Sequence, residues 1–262
     1  MVYADLHVHT TRSDGTLAPG RVGEAAREAG LGAVAVTDHE RLPRGGNPIE
    51  TRDGVTLIQG VELRVETPFG RVDLLGYAVE ETPELRAELD RIQENRIERA
   101  REIVLAIEDR LGVSLSVPIE AGVGRPDIAR AVAGHPDLDY TFSGVFDELI
   151  GEDCPCYVAR DVPDFETGVR LLDLSCALVA LAHPLRYPDP EAALSLLPEL
   201  DAVEYDYPYA NNPSLEPVAA AIEEHGVLAT GGSDAHGETL GEAGLSREAF
   251  TPVASALDLP LP

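Results

Sequence analysis

Short apolar strands alternate with helical stretches at both ends of this 262-residue chain, and most of those strands run into a histidine or a carboxylate. Residues 2–6 read as a strand. Residues 21–29 place Val22, Ala25, Ala26 and Ala29 on one helical face, and Gly30 is a natural stop. Residues 33–37 are small and β-branched, as buried parallel strands are. The last third repeats the pattern: helix 165–172 and strand 177–182, helix 191–197 and strand 202–205, helix 214–224 and strand 227–230. Repeated βα units require an α/β fold, either a barrel or a doubly wound sheet, with functional groups at the carboxyl ends of the strands.

Two segments break the alternation. Residues 55–66 and 71–79 are strand-like on either side of Pro68, Phe69 and Gly70, which predicts a hairpin. A long helix follows: Thr82 can cap it, Pro83 suits its first position, and Gly112 ends it. Leu85, Leu89, Ile92, Ile103, Ile107 and Leu111 share one face of that helix. Further helices are expected at 126–132 and 142–149. Residues 82–160 therefore read as a helix-rich insertion or cap within one domain spanning 1–262, not as a free-standing domain.

Composition narrows the function. The chain carries 20 basic and 47 acidic residues, a formal net charge of -27. All the basic residues are Arg, which excludes a Schiff-base lysine and a P-loop lysine. The field repels phosphate at long range, so long nucleic acid is not an expected partner. An acidic surface without lysine fits adaptation to high salt, a halophilic composition. The odd count of three cysteines is no disulfide framework, and Cys154 and Cys156 read as small apolar fillers. No signal peptide or membrane span is expected, which places the protein in the cytoplasm.

Five of the seven histidines lie at or just past a predicted strand end. His7 and His9 share one side of a strand, because alternate residues point the same way. Asp14 follows in a loop. Asp38 and His39 end the second strand, Glu62 lies in the third strand region, and His183 ends a later one. Asp234 and His236 come just past the last. His135 and His225, beside Pro136 and Gly226, read as structural. Converging strand ends would gather His7, His9, His39, His183 and His236 with Asp14, Glu62 and Asp234. That mixed nitrogen and oxygen set suits Mn²⁺, Fe²⁺ or Zn²⁺ and exceeds the needs of one tetrahedral ion. Two or three ions with a bridging carboxylate fit better, and such sites cleave phosphate esters.

The motifs Asp5-Leu6-His7-Val8-His9-Thr10, Ser13-Asp14-Gly15-Thr16, Thr37-Asp38-His39, Gly60-Val61-Glu62, Ala182-His183-Pro184 and Gly232-Ser233-Asp234-Ala235-His236 resemble, in order and spacing, those of the PHP (polymerase and histidinol phosphatase) superfamily. Leu74-Leu75-Gly76-Tyr77 and Gly124-Arg125-Pro126 are similar to its branch of small metal-dependent phosphoesterases, which carries a helical insertion. The resemblance implies a distorted (βα)₇ barrel with a metal cluster at its carboxyl rim. It implies that His7, His9, Glu62 and Asp234 hold one ion and Asp14, His39 and His236 a second. Glu62 would bridge to a third site that includes His183. It also implies attack on phosphorus by a metal-bound hydroxide.

Two positions depart from the branch pattern. Asp73 stands where the branch has His; it could still ligate, through a harder oxygen. Asp127 follows Gly-Arg-Pro where the branch has His, and a carboxylate there would repel phosphate. Arg125 is the expected phosphate clamp, since its fork matches two phosphate oxygens. Arg186 is a second candidate for substrate binding. Tyr205, Tyr207 and Tyr209 could line a base pocket or simply pack. Glu62, His183 and Arg125 are expected to carry catalysis on a small phosphorylated substrate of nucleotide type. That substrate would be a nucleoside monophosphate, a 3′,5′-bisphosphate or the 5′ end of a short oligonucleotide. Histidinol phosphatase is the enzymatic alternative, with Asp73 or Asp127 receiving the substrate's amine. A non-catalytic metal-binding PHP module is the alternative of another class.

Overall fold

The structure, a computed structural model, describes residues 1–43, 45–120 and 122–261. The chain divides into two compact units, one of Met1–Arg86 with Val162–Pro262, the other of Ala87–Asp161.

The first unit is built on an eight-stranded mixed sheet. Its elements are β1 (Ala4–Val8), α1 (Val22–Glu28), β2 (Ala33–Val36), β3 (Ile49–Arg52), β4 (Val55–Thr67) and β5 (Gly70–Tyr77). The chain then enters α2 (Pro83–Leu111), α3 (Arg125–Ala133) and α4 (Phe142–Val145), and α4 continues as a wider turn over Phe146–Ile150. It returns through α5 (Phe165–Asp173), β6 (Leu178–Leu181), α6 (Pro190–Leu194), β7 (Ala202–Asp206), α7 (Glu216–His225), β8 (Leu228–Gly231) and α8 (Arg247–Ala256). The order is β1-β2-β4-β5-β6-β7-β8, with β3 paired to β4. The βαβ steps are parallel, as the alternation requires. The β4–β5 hairpin is antiparallel, and so is the pairing of β5 with β6.

The 13 residues of β4 serve two partners. Thr56–Gln59 pair with β2, and Gly60–Thr67 pair with β5. The change of partner falls at Gly60, where a Cβ would stand 2.8 Å from Thr37 Cγ2 and 2.9 Å from Gly76 O. Glu62 lies two residues beyond, at the carboxyl end of β2, where it bridges His39.

The closed seven-stranded barrel is not confirmed: β1 and β8 are the two ends of an open sheet. After Gly231 the chain leaves the ladder to present Asp234. It meets β1 again through isolated bridges, Val8 to Ala235 and Ala4 to Leu245. The core of this unit packs Leu6, Ile58, Leu75 and Tyr77 with Phe250 and Val253 of α8. Both α8 and β3 go beyond the sequence reading. Pro252 lies inside α8, and Ser246 caps the helix by accepting from the Ala249 N–H. The four residues of β3 are half-buried or exposed and leave no apolar run.

In α2 the predicted signals act as expected. Thr82 Oγ1 accepts from the Leu85 N–H, and Gly112 ends the helix at φ 68°. Ile103 and Ile107 of α2 pack with Ile128, Val132, Leu149 and Ile150 to give the Ala87–Asp161 unit its own core. Cys156 is buried in that core. Among the described residues, no helix is long and apolar enough to cross a membrane.

Candidate metal centre

The strand ends of the first unit bring together every histidine and carboxylate expected there. His7 ends β1 on its buried face, and His9 follows one residue past it. His7 Nε2 lies 3.5 Å from Glu62 Oε2 and 3.5 Å from Asp234 Oδ1. His9 Nε2 lies 3.3 Å and 3.1 Å from the same two oxygens. His39 Nδ1 is 2.8 Å from Glu62 Oε2, while His183 Nε2 is 3.2 Å from Glu62 Oε1. On the solvent side, Asp14 reaches His236 Nε2 at 3.3 Å and His39 Nε2 at 3.6 Å. The donors fall into three overlapping sets: His9 with Asp14, His39 and His236; His7 with Glu62 and His183; His7 with His9 and Asp234. His9 joins the outer set as well as the inner one.

The backbone is tied down to hold this geometry. Asp38 accepts from the Thr10 N–H, the Thr10 hydroxyl and the Ser13 hydroxyl, fixing the loop that presents Asp14. Asp5 does the same on the other side, accepting from the N–H and hydroxyl of Ser233 and the Gly241 N–H. Gly232 packs so closely that a Cβ would lie 2.4 Å from His7 N. His183 (φ 28°) and Asp234 (φ 50°) occupy the left-handed region that non-glycine residues avoid, a cost commonly borne where side chains must be aimed.

Electrostatics explains why the cluster calls for cations. His7 Nε2, both ring nitrogens of His9 and Glu62 Oε2 are buried without a well-directed hydrogen bond, although they face one another at short range. Buried polar atoms left this way are costly unless a metal or proton takes them up. Burial lowers the His7 pKa, but Glu204 and Glu62 outweigh it and hold the ring well above its usual value. Burial likewise opposes His9, which Asp234 and Glu62 push up to about 9. Burial raises Glu62, yet His39 and His7 hold its carboxyl well below the usual range. Asp14 and Asp234 are also held low by the histidines, against the effect of burial. The cluster thus keeps protons that divalent ions would displace on binding. These residues fit divalent ions on the observed donor sets.

Glu204 of β7 is a functional residue that the sequence reading missed. It is fully buried, its Oε1 lies 3.1 Å from His7 Nδ1, and its Oε2 accepts from the His183 N–H at 2.8 Å. The signal was an acid within the apolar run Ala202-Val203-Glu204. A carboxylate behind a ligating histidine fixes its tautomer and orientation. Glu204→Gln is expected to weaken metal affinity by on the order of 10- to 100-fold without unfolding the protein, as measured by competition with a chelating dye.

The substrate residues divide. Arg186 is at the cluster: its Nη1 donates to Asp234 Oδ2 at 2.9 Å and to the Tyr207 hydroxyl at 2.8 Å. Tyr207 itself donates to Asp234 Oδ2, a contact that neither reading of the tyrosines named. Asp73 spends both carboxylate oxygens on Arg64, at 2.7 Å and 2.6 Å. Asp127 caps α3, accepting from the Gly124 N–H and from Arg130. Arg125 belongs to the helical unit, where it donates to Ile150 O and lies over the Phe146 and Tyr157 rings. Burial, together with Arg125 and Arg160, pulls the nearby Arg99 guanidinium down to about 10.

An α/β sheet with histidines and carboxylates gathered at its strand ends defines a candidate metal-binding protein. The PHP domain family model matches residues 5–114. The chain is 26% identical to a 3′,5′-nucleoside bisphosphate phosphatase of Chromobacterium violaceum, over 90% of this chain and 88% of that one. It is 27% identical to a 5′-3′ exoribonuclease of Escherichia coli, over 90% and 85% of the two chains. It is also 27% identical to a phosphoribosyl 1,2-cyclic phosphate 1,2-diphosphodiesterase of Eggerthella lenta, over 89% and 94%. Among solved structures, a protein from Bifidobacterium adolescentis assigned as a metal-dependent phosphoesterase superposes with a TM-score of 0.75 at 22% identity, over 97% of this chain and 96% of that one. A Chromobacterium violaceum protein described as an amidohydrolase gives 0.73 at 23% identity, over 92% and 90%.

Proposed function

We propose that this chain is a metal-dependent phosphoesterase that hydrolyses nucleotide-type phosphate monoesters: a nucleoside monophosphate, a 3′,5′-bisphosphate or the 5′ end of a short oligonucleotide. The observation that carries the reading is Glu62, whose two oxygens stand between the His7, His9 and His39 nitrogens on one side and His183 on the other. The names of the relatives, which act on nucleotides and sugar phosphates, support the substrate class. His7, His9, Glu62 and Asp234 would hold one divalent ion, and Asp14, His39 and His236 a second; Mn, Fe and Zn suit this donor set. Such ions, when bound, supply an acidified water and positive charge for the phosphoryl oxygens.

The chain's own groups do the rest. Glu204 orients His7, and Asp5 fixes the loop bearing Asp234. Arg186, exposed beside Asp234, offers a guanidinium to the substrate phosphate. Arg125 is the proposed phosphate clamp. The grouping of Arg99, Arg125 and Arg160 in a chain of net charge -27 supports an anion there. Arg125→Ala is then expected to lower kcat/KM by on the order of 10²-fold, and an unchanged value removes it from the site. The bridges from β1 to Ala235 and Leu245 support reading the open sheet as a distorted barrel.

Histidinol phosphatase needs an acidic partner for the substrate's amine. Asp73 is committed to Arg64, and Asp127 to its helix cap and Arg130, which favours the nucleotide reading. A purely binding module is disfavoured by the complete ligand set. Phosphate release in high salt with Mn²⁺ tests the choice. Adenosine 3′,5′-bisphosphate, AMP or a 5′-phosphorylated oligonucleotide should turn over, and histidinol phosphate should not. Turnover of histidinol phosphate alone reverses the assignment.

A further inference from the structure

The hairpin that carries Glu62 carries a second charged pair. Arg64 sits directly opposite Asp73 in the β4–β5 register. Residues 62 and 64 are two apart on one strand, so their side chains share the face that bears the histidine cluster. The pair is closed by two parallel bonds, Nε to Oδ1 at 2.7 Å and Nη2 to Oδ2 at 2.6 Å. Asp73 is buried, whereas the Arg64 side chain keeps 36% of its exposure. The Asp73 backbone is pinned too, its N–H donating to the Tyr187 hydroxyl at 2.8 Å. His183 Nε2 stands 3.8 Å from Asp73 Oδ2 and 3.2 Å from Glu62 Oε1. A guanidinium therefore holds the carboxylate that could add a further ligand to an ion beside His7, Glu62 and His183.

We propose that Arg64, fixed across the hairpin by Asp73, supplies the third positive charge of this site in place of a third metal ion, so that the chain binds two ions. The proposal rests on reading the cluster as a metal centre. It deepens that reading by naming a fixed cation that the sequence pattern did not. A guanidinium has five N–H donors, and Asp73 occupies two. The partly exposed remainder is suited to a phosphate oxygen. Asp73 then acts as a positioning residue for Arg64 rather than as a ligand. An ion pair of this geometry disfavours a competing cation at the same oxygens, and removing its arginine leaves a buried, uncompensated carboxylate that favours one.

The test counts ions and uses no substrate, so it stands apart from the question of which phosphate ester is cleaved. Full-length protein is loaded with Mn²⁺, freed of excess ion and analysed for metal per chain by mass spectrometry. Two ions are expected in the wild type and two in Asp73→Asn. Three are expected in Arg64→Ala, where Asp73, Glu62 and His183 become available together. Three ions in the wild type, one fewer in Asp73→Asn than in the wild type, or two in Arg64→Ala overturns the proposal. If Arg64→Ala does not fold, the wild-type and Asp73→Asn counts decide it. Failure to bind any Mn²⁺ in a folded sample would instead refute the metal centre itself.

Discussion

Glu62→Gln is expected to lower kcat/KM by on the order of 10³-fold or more while leaving the fold intact. The substitution keeps shape and volume but replaces one oxygen with an amide nitrogen that cannot ligate a cation. Among the described residues, Glu62 alone approaches all of His7, His9, His39 and His183. Removing its charge also takes from His39 Nδ1 the carboxylate oxygen that stands 2.8 Å away. Circular dichroism should show native structure, and bound metal should fall together with activity. A variant retaining activity within tenfold of wild type removes Glu62 from the bridging role.

The second large effect is on stability. Asp5→Ala should cost about 3 kcal/mol or more, since hydrogen bonds to a buried charged acceptor are worth about 1.5–3 kcal/mol each. Asp5 is fully buried and accepts from the Ser233 hydroxyl at 2.5 Å, the Ser233 N–H at 2.9 Å and the Gly241 N–H at 2.8 Å. Those donors sit on the loop that carries Asp234, so metal binding should weaken along with folding. Asp5→Asn keeps one oxygen and should cost less. Thermal denaturation of the metal-free variants checks both. Equal melting temperatures for wild type and Asp5→Ala would show that the loop does not depend on this carboxylate.

The candidate ligands were legible because strand ends are. His7, His9, His39, His183 and Asp234 each follow a β-branched or small apolar run. Once such runs are parallel strands, their ends must share one edge. The long helix was legible for a local reason, its Thr82 cap and its Gly112 stop. Glu204 was not, since one acid within β7 carries no spacing signal and gains meaning only when His7 lies 3.1 Å away. Arg64 was hidden in the same way. Its partner Asp73 is nine residues along, and only the hairpin register sets them face to face. The open sheet was likewise beyond local reading, because closure between β1 and β8 depends on contacts more than 200 residues apart. The helix α8, which contains Pro252 and buries Phe250 and Val253, was not read from the sequence.

The most direct test of the central claim is phosphate release from adenosine 3′,5′-bisphosphate by Mn²⁺-loaded protein in high salt, before and after chelation. The account predicts turnover that chelation abolishes, that added Mn²⁺ restores, and that Glu62→Gln lacks. Turnover unaffected by chelation, or no turnover of any phosphate monoester by a folded, metal-loaded sample, would contradict it.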